Sequence, residues 1–176
     1  MSDLRRRAWK AQRDANSNTV AKVAPELVEG GPHAEYVHMS FDGASNIERS
    51  LEIAAERAGD LTADIYARLF RDFPETEHLF VMDRDGGVRG NMLSHAFNTI
   101  LDFIGERRYA HNFISSEIVT HIGYEVPPDA FASFFTVMRD ELRAACGPQW
   151  SPEMEDAWRR LLIDLERYVA RPTHVA

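Results

Sequence analysis

The sequence predicts an all-α domain, and two kinds of observation support this fold class. Apolar residues recur at spacings of three and four over most of residues 45–172, which is the period of one helix face. Prolines and glycines fall between these stripes, where helices are expected to begin or end. A period-two alternation of apolar and polar residues is not sustained anywhere in the chain, so no strand is predicted. We therefore expect six or seven helices joined by short loops.

The first helix is predicted to begin at Ser45. A glutamate, Glu48, follows this serine at the spacing of a capping box, in which the serine side chain and the glutamate side chain satisfy free backbone N–H groups. An apolar stripe then continues as far as Gly59. The pattern predicts one amphipathic helix over this segment.

The second helix is expected to begin near residues 61–62 and to end at Phe73. The reason for the end is Pro74, because the residue before a proline is pushed away from helical angles. Pro74 then opens a short turn that closes at Phe80, and residues 83–87, which contain two glycines, are interpreted as a loop.

Four further helices are predicted in the second half of the chain, each with a glycine or a proline near one of its ends. They cover residues 92–104, 109–121, 127–146 and 151–172. The clearest start signal is Ser151, followed by Pro152 and Glu153. This order supplies a cap residue, a proline at the first helical position and an acid in the first turn.

Residues 1–44 differ from the rest because turn signals rich in Gly, Pro, Asn and Ser interrupt them. We interpret them as an N-terminal extension, partly disordered or arm-like, ahead of a domain at 45–172 and a tail at 173–176. The alternative is a lid or interaction arm that uses the aromatic residues Trp9, Tyr36 and Phe41.

The composition limits the classes of function. The net charge of −8 argues against a nucleic-acid surface. Cys146 is the single cysteine, which excludes an internal disulfide or a cysteine-rich metal site and suits a reducing cytoplasm. No apolar run approaches the ~20 residues of a membrane span, and no secretory signal follows the basic N-terminus. We expect a cytoplasmic protein that binds neither nucleic acid nor membranes.

Three spacings carry a resemblance to a known family. Tyr66 precedes Phe80 by fourteen residues, Pro74 precedes it by six, and His121 is followed by a Gly-Tyr-Glu-Val-Pro turn and a phenylalanine-rich helix. This order resembles bacterial haemoglobins of the single-domain class and the haem domain of flavohaemoglobins. The resemblance covers about residues 45–170 and implies a globin-like helical fold, a 3-over-3 helical sandwich.

The resemblance also implies a site for haem b (iron protoporphyrin IX), with His121 as the proximal ligand to iron. Such a ligand needs a neutral imidazole whose second ring N–H is held by a carbonyl or a carboxylate. Tyr66 would donate a hydrogen bond to bound O2, worth roughly 1.5–3 kcal/mol, or about ten- to a hundredfold in affinity. The other residues expected to line the pocket are Phe80, Ala96, Ile100, Val126, Phe131 and Phe134.

Three positions depart from the family pattern. Met92 falls where glutamine or histidine is frequent, and we expect it to fill the pocket, with a sixth iron ligand as the alternative. His95 is expected to face a haem propionate or solvent, and the distal site is the alternative. Phe131 replaces a tyrosine that in flavohaemoglobins helps to make the proximal histidine more electron-donating, and the glutamate that completes that network has no counterpart near the C-terminus. These departures put oxygen activation and efficient nitric oxide dioxygenation in doubt.

The function predicted from these residues is reversible binding of O2 or another diatomic gas. One alternative is a nitric oxide dioxygenase. We expect it to need an external reductase, because the chain ends at residue 176 without a flavin or nicotinamide domain. A second alternative is a haem-free globin-like sensor or interaction domain, in which Tyr66 and His121 are structural. A homodimer is left open.

Overall fold

The computed structural model describes residues 41–107 and 109–169, which form six α-helices and two short 3-10 helices. The α-helices are α1 (Ala44–Arg57), α2 (Thr62–Asp72), α3 (Gly87–Ile104), α4 (Ala110–Gly123), α5 (Pro128–Cys146) and α6 (Pro152–Val169). The 3-10 helices are Pro74–Phe80 and Gly147–Gln149. No strand occurs within the described ranges, and the all-α prediction is confirmed. Residues 1–40 of the expected extension, with Trp9 and Tyr36, and the tail 173–176 lie outside the described residues.

The helices pack in two layers of three. Helices α1, α3 and α4 form one layer, and α2, α5 and α6 form the other. Between the layers α1 packs on α5 and α6, α2 packs on α3, and α4 packs on both α5 and α6. Large side chains that are fully buried between the layers include Ile47, Ile65, Ile100, Met138, Trp158 and Leu161. This is the 3-over-3 arrangement, and none of the described helices is long and apolar enough to cross a membrane.

The capping box predicted at Ser45 is wrong. Helix α1 begins one residue earlier, its cap position is Gly43 with a φ of 109°, and no side chain caps it. A Cβ added at Gly43 would lie 2.8 Å from the Cβ of Ala157 on α6. The close approach of α6 and the left-handed backbone therefore set the start of the helix, and both require glycine.

Helix α2 begins and ends where the sequence predicts. The Asp60 carboxylate accepts hydrogen bonds from the backbone N–H of Thr62 at 3.0 Å and from its hydroxyl at 2.6 Å. Phe73 is the residue after the last helical turn, and Pro74 begins the first 3-10 helix. Neighbouring residues in the sequence, Asp60 and Pro74, therefore set both ends of the helix that carries Tyr66.

Helix α4 is anchored to the end of α3 by Asp102. The Oδ2 atom of Asp102 accepts hydrogen bonds from the backbone N–H groups of Tyr109 at 3.0 Å and Ala110 at 2.8 Å. The Tyr109 hydroxyl donates to the carbonyl of Asn98 at 2.9 Å. A carboxylate at this end also interacts favourably with the helix dipole. The helix that carries His121 therefore has a fixed origin, and it continues two residues past this histidine, to Gly123.

The last two helices also follow the predicted signals. Helix α5 begins at Pro128 and is closed by Gly147, whose φ is 53°. The hydroxyl of Ser151 accepts a hydrogen bond from the backbone N–H of Met154 at 3.2 Å, so the predicted cap of α6 is confirmed.

Candidate functional site

Tyr66 lies on the inner face of α2 and is 1 % exposed. Three phenylalanine rings surround it, with centroid distances of 5.8 Å to Phe70, 5.3 Å to Phe80 and 5.7 Å to Phe134. Phe80 and Phe134 were expected in the pocket. Phe70 was not, although its position four residues after Tyr66 places both on one helix face.

The hydroxyl of Tyr66 has no hydrogen-bond partner among the described residues. A buried polar group that lacks a partner costs about 1–3 kcal/mol. Burial raises the pKa of the Tyr66 hydroxyl, an effect that the charge of Arg89 reduces and that of Asp83 increases. The phenol is therefore a neutral hydrogen-bond donor at physiological pH, held in an apolar pocket.

The two charged residues that influence Tyr66 form an ion pair at the start of α3. The Asp83 carboxylate is buried, and it accepts hydrogen bonds from the backbone N–H of Val88 at 2.8 Å and from the backbone N–H and Nε of Arg89 at 3.1 and 2.8 Å. Burial alone would raise the pKa of Asp83, but these hydrogen bonds lower it below its usual range. Asp83 thus remains ionised and caps α3. Residues 83–86 form the predicted loop, and α3 begins at Gly87, earlier than the predicted start at residue 92. Asp83, three residues before the glycine pair, is the signal for this earlier start.

Helix α3 carries four of the expected pocket residues. Ala96 and Ile100 are buried one turn apart, and Met92 is half-buried. His95 is exposed, and its ring meets Phe113 of α4 edge-on, with centroids 5.9 Å apart.

His121 lies in the last turn of α4 with 20 % of its side chain exposed. Its Nδ1 is 2.7 Å from the backbone carbonyl oxygen of Glu117 and 3.6 Å from the Oε2 atom of the same residue. Because a carbonyl can only accept, Nδ1 carries the proton, and Nε2 is the nitrogen with a free lone pair. The Phe131 ring packs against the imidazole, with centroids 4.8 Å apart. His121 therefore presents its Nε2 atom in one orientation.

The turn after α4 places Val126 beside the histidine. The carbonyl of His121 accepts hydrogen bonds from the backbone N–H groups of Tyr124 at 3.1 Å and Val126 at 3.0 Å. Glu125, between them, has a φ of 59°. Val126 is half-buried.

The expected site residues fall into two groups of direct contacts. One group is Tyr66, Phe80 and Phe134, and the other is His121, Phe131 and Val126. Helix α5 supplies a phenylalanine to each group, and α3, which carries Met92, His95, Ala96 and Ile100, contacts both α2 and α4. Within the described ranges, no group of three or more histidine, cysteine or carboxylate side chains is arranged to hold a metal ion.

A comparison with protein-family models matches residues 63–166 to the globin model, which is more than half of the chain. A search of the curated proteins and a search of the solved structures found no significant match. The matched segment runs from α2 into α6 and contains all the site residues described above.

Proposed function

Because this chain belongs to the globin family, we propose that it holds haem b on His121 and reversibly binds O2 or another diatomic gas under the hydroxyl of Tyr66. The observation that carries the proposal is the buried Tyr66 hydroxyl, which has no partner among the described residues. Haem supplies a ferrous iron that binds diatomic gases reversibly. The residues present fit this group, since the chain offers one oriented imidazole and one buried donor.

His121 supplies the properties that an axial ligand needs. The hydrogen bond from Nδ1 to the Glu117 carbonyl at 2.7 Å fixes the tautomer and leaves the Nε2 lone pair free. The Phe131 ring, 4.8 Å away, limits rotation of the imidazole about its bond to the helix. Both contacts act before any ligand binds, so the ligating nitrogen is pre-oriented.

Tyr66 supplies selectivity for a gas that carries partial negative charge. Its hydroxyl is desolvated, and the rings around it provide no competing acceptor. A hydrogen bond from such a donor to a charge-bearing ligand is worth roughly 1.5–3 kcal/mol, or about ten- to a hundredfold in affinity. Apolar side chains, among them Ile100 and Phe80, keep water out of the same space.

The order of Tyr66, Phe80 and His121 along the chain supports a place near the bacterial single-domain globins and the haem domain of flavohaemoglobins. In this proposal Met92 fills part of the pocket with an apolar side chain, and His95 lies where the pocket meets solvent. The exposure of His95 and the partial burial of Met92 support these assignments.

The experiment that tests the proposal is a visible absorption spectrum of the full chain after haem addition, in ferric, ferrous and ferrous–CO forms. We expect a haem spectrum in the wild type and in His78→Ala, which removes an exposed histidine of the first 3-10 helix. We expect no ferrous haem complex of this type in His121→Ala. A wild type that stays colourless after haem addition would overturn the proposal and favour a haem-free interaction domain.

The alternative activity, nitric oxide dioxygenation with a separate reductase, is favoured by the Glu117 carboxylate 3.6 Å from His121 Nδ1. A carboxylate at this position makes a histidine ligand more basic. Consumption of nitric oxide at rates that depend on an added reductase would distinguish this enzyme from a gas-binding protein.

A further inference from the structure

Glu117 presents two acceptors to one ring nitrogen. It lies one turn before His121 on α4, so that its own backbone carbonyl is 2.7 Å from Nδ1 and its Oε2 atom is 3.6 Å from the same nitrogen. The carbonyl accepts the hydrogen bond. The carboxylate adds a negative charge next to the polarised N–H.

Because residue 131 is a phenylalanine, the Glu117 carboxylate matters more for the electronic properties of His121. Its ring covers the imidazole at 4.8 Å between centroids, and a phenyl ring has no hydroxyl with which to contact the histidine. The carboxylate that lies near His121 Nδ1 belongs to the same helix, one turn before the histidine.

We propose that Glu117 is a positioning residue for His121, whose carboxylate makes the imidazole more electron-donating toward iron. This inference rests on the proposed function, in which His121 ligates haem iron. A negative charge near the Nδ1 proton gives the ring imidazolate character, which strengthens the bond from Nε2 to the metal and stabilises the ferric state relative to the ferrous state.

The size of the effect follows from the exposure of the carboxylate. The Glu117 side chain is 33 % exposed, so water screens its charge. Ion pairs of this exposure change equilibria by roughly twofold to fivefold. We expect a shift of this size in the ferric-to-ferrous equilibrium constant.

The test compares the haem-loaded full chain with Glu117→Gln and with Glu56→Gln. Glu56 is an exposed glutamate on α1, and its substitution makes the same change in net charge away from the histidine. Two quantities are measured: the iron–histidine stretching frequency of the ferrous five-coordinate form by resonance Raman spectroscopy, and the reduction potential. We expect Glu117→Gln to lower the frequency and to shift the equilibrium toward ferrous roughly twofold to fivefold, and Glu56→Gln to leave both unchanged.

The outcomes separate this inference from the proposed function. An unchanged frequency and potential in Glu117→Gln, with or without a loss of thermal stability, would assign Glu117 a structural role only and overturn the inference while leaving haem binding intact. A wild type that takes up no haem would overturn both.

If Glu117→Gln fails to take up haem, Glu117→Asp replaces it in the test. Aspartate retains the charge but holds it one methylene farther from the histidine. A frequency below that of the wild type then supports the inference, and an unchanged one overturns it.

Discussion

At the scale of single residues, two tyrosine hydroxyls differ in whether they have a hydrogen-bond partner. The Tyr66 hydroxyl is buried and has no partner among the described residues, whereas the Tyr109 hydroxyl donates to the Asn98 carbonyl at 2.9 Å. The same chemical change, removal of a phenol hydroxyl, should therefore have opposite effects at the two positions.

We expect Tyr66→Phe to stabilise the haem-free chain by about 1 kcal/mol and Tyr109→Phe to destabilise it by about 1 kcal/mol, because only the second substitution removes a hydrogen bond. Urea unfolding of the two variants measures both values. In the proposed haem complex, Tyr66→Phe should raise the rate of O2 dissociation about ten- to a hundredfold. A loss of stability in haem-free Tyr66→Phe would mean that the hydroxyl has a partner.

Asp83 should make stability depend on acid pH. Its pKa is lowered in the folded chain, so its contribution is fully present above its unfolded pKa of about 3.9 and is lost as pH falls through the lower folded value. We expect Asp83→Asn to destabilise the chain at pH 7, because asparagine cannot form the ion pair with Arg89, with the difference from wild type shrinking below about pH 4. Denaturant unfolding across this range, with the exposed residue Asp64→Asn as the control, checks the prediction. A constant difference across the range would contradict it.

At the scale of helices, charged side chains link α2 to α5. Arg68 lies 2.6 Å from Asp140 and 3.3 Å from Glu141 of α5, and its Nε lies 3.5 Å from Asp72 of its own helix. One cation thus pairs with three carboxylates. Its loss leaves like charges together, which is more costly than the loss of one exposed pair.

We expect Arg68→Gln to cost about 1–2 kcal/mol at low salt and less in 1 M salt, because the remaining repulsion is screened. Adding Glu141→Gln, which removes one of the carboxylates that Arg68 contacts, should recover part of the loss. Urea unfolding at both salt concentrations measures the change in the free energy of unfolding for each variant. Equal losses at low and high salt would show that Arg68 acts through the packing of its aliphatic stem and not through its charge.

Some helix boundaries could be predicted from the sequence and others could not. Pro74, Gly147 and Ser151 act on neighbours in the chain, and the boundaries predicted from them match the structure. The box at Ser45 failed because a contact with Ala157, far along the chain, overrides local capping. Long-range contacts of this kind leave no pattern in a short window of sequence.

The candidate site shows the same difference between local and long-range features. The spacing along the chain singles out His121 and Tyr66, and the structure adds the residues that surround them. The contact of Glu117 with His121 has helical spacing and could have been found, whereas the pairing of Arg68 with Asp140 could not, because it depends on how two helices cross.

At the scale of the molecule, ligand binding and folding should be linked. In the proposed complex, haem binds the folded chain, so it adds about 2.7 kcal/mol at a concentration a hundred times its dissociation constant. Thermal unfolding with increasing haem should show a rising midpoint in the wild type and in His78→Ala, and a much smaller rise in His121→Ala. Equal rises in wild type and His121→Ala would show that haem does not bind at this histidine.

One face of α5 joins both ends of the pocket. Phe131 packs on His121 and Phe134 packs on Tyr66, and the two rings lie three residues apart on one rigid helix. A translation of α5 along its axis would alter both ring contacts together, so the two ends are mechanically coupled. A displacement of Phe134 caused by a change at Tyr66 would therefore also move Phe131 against His121.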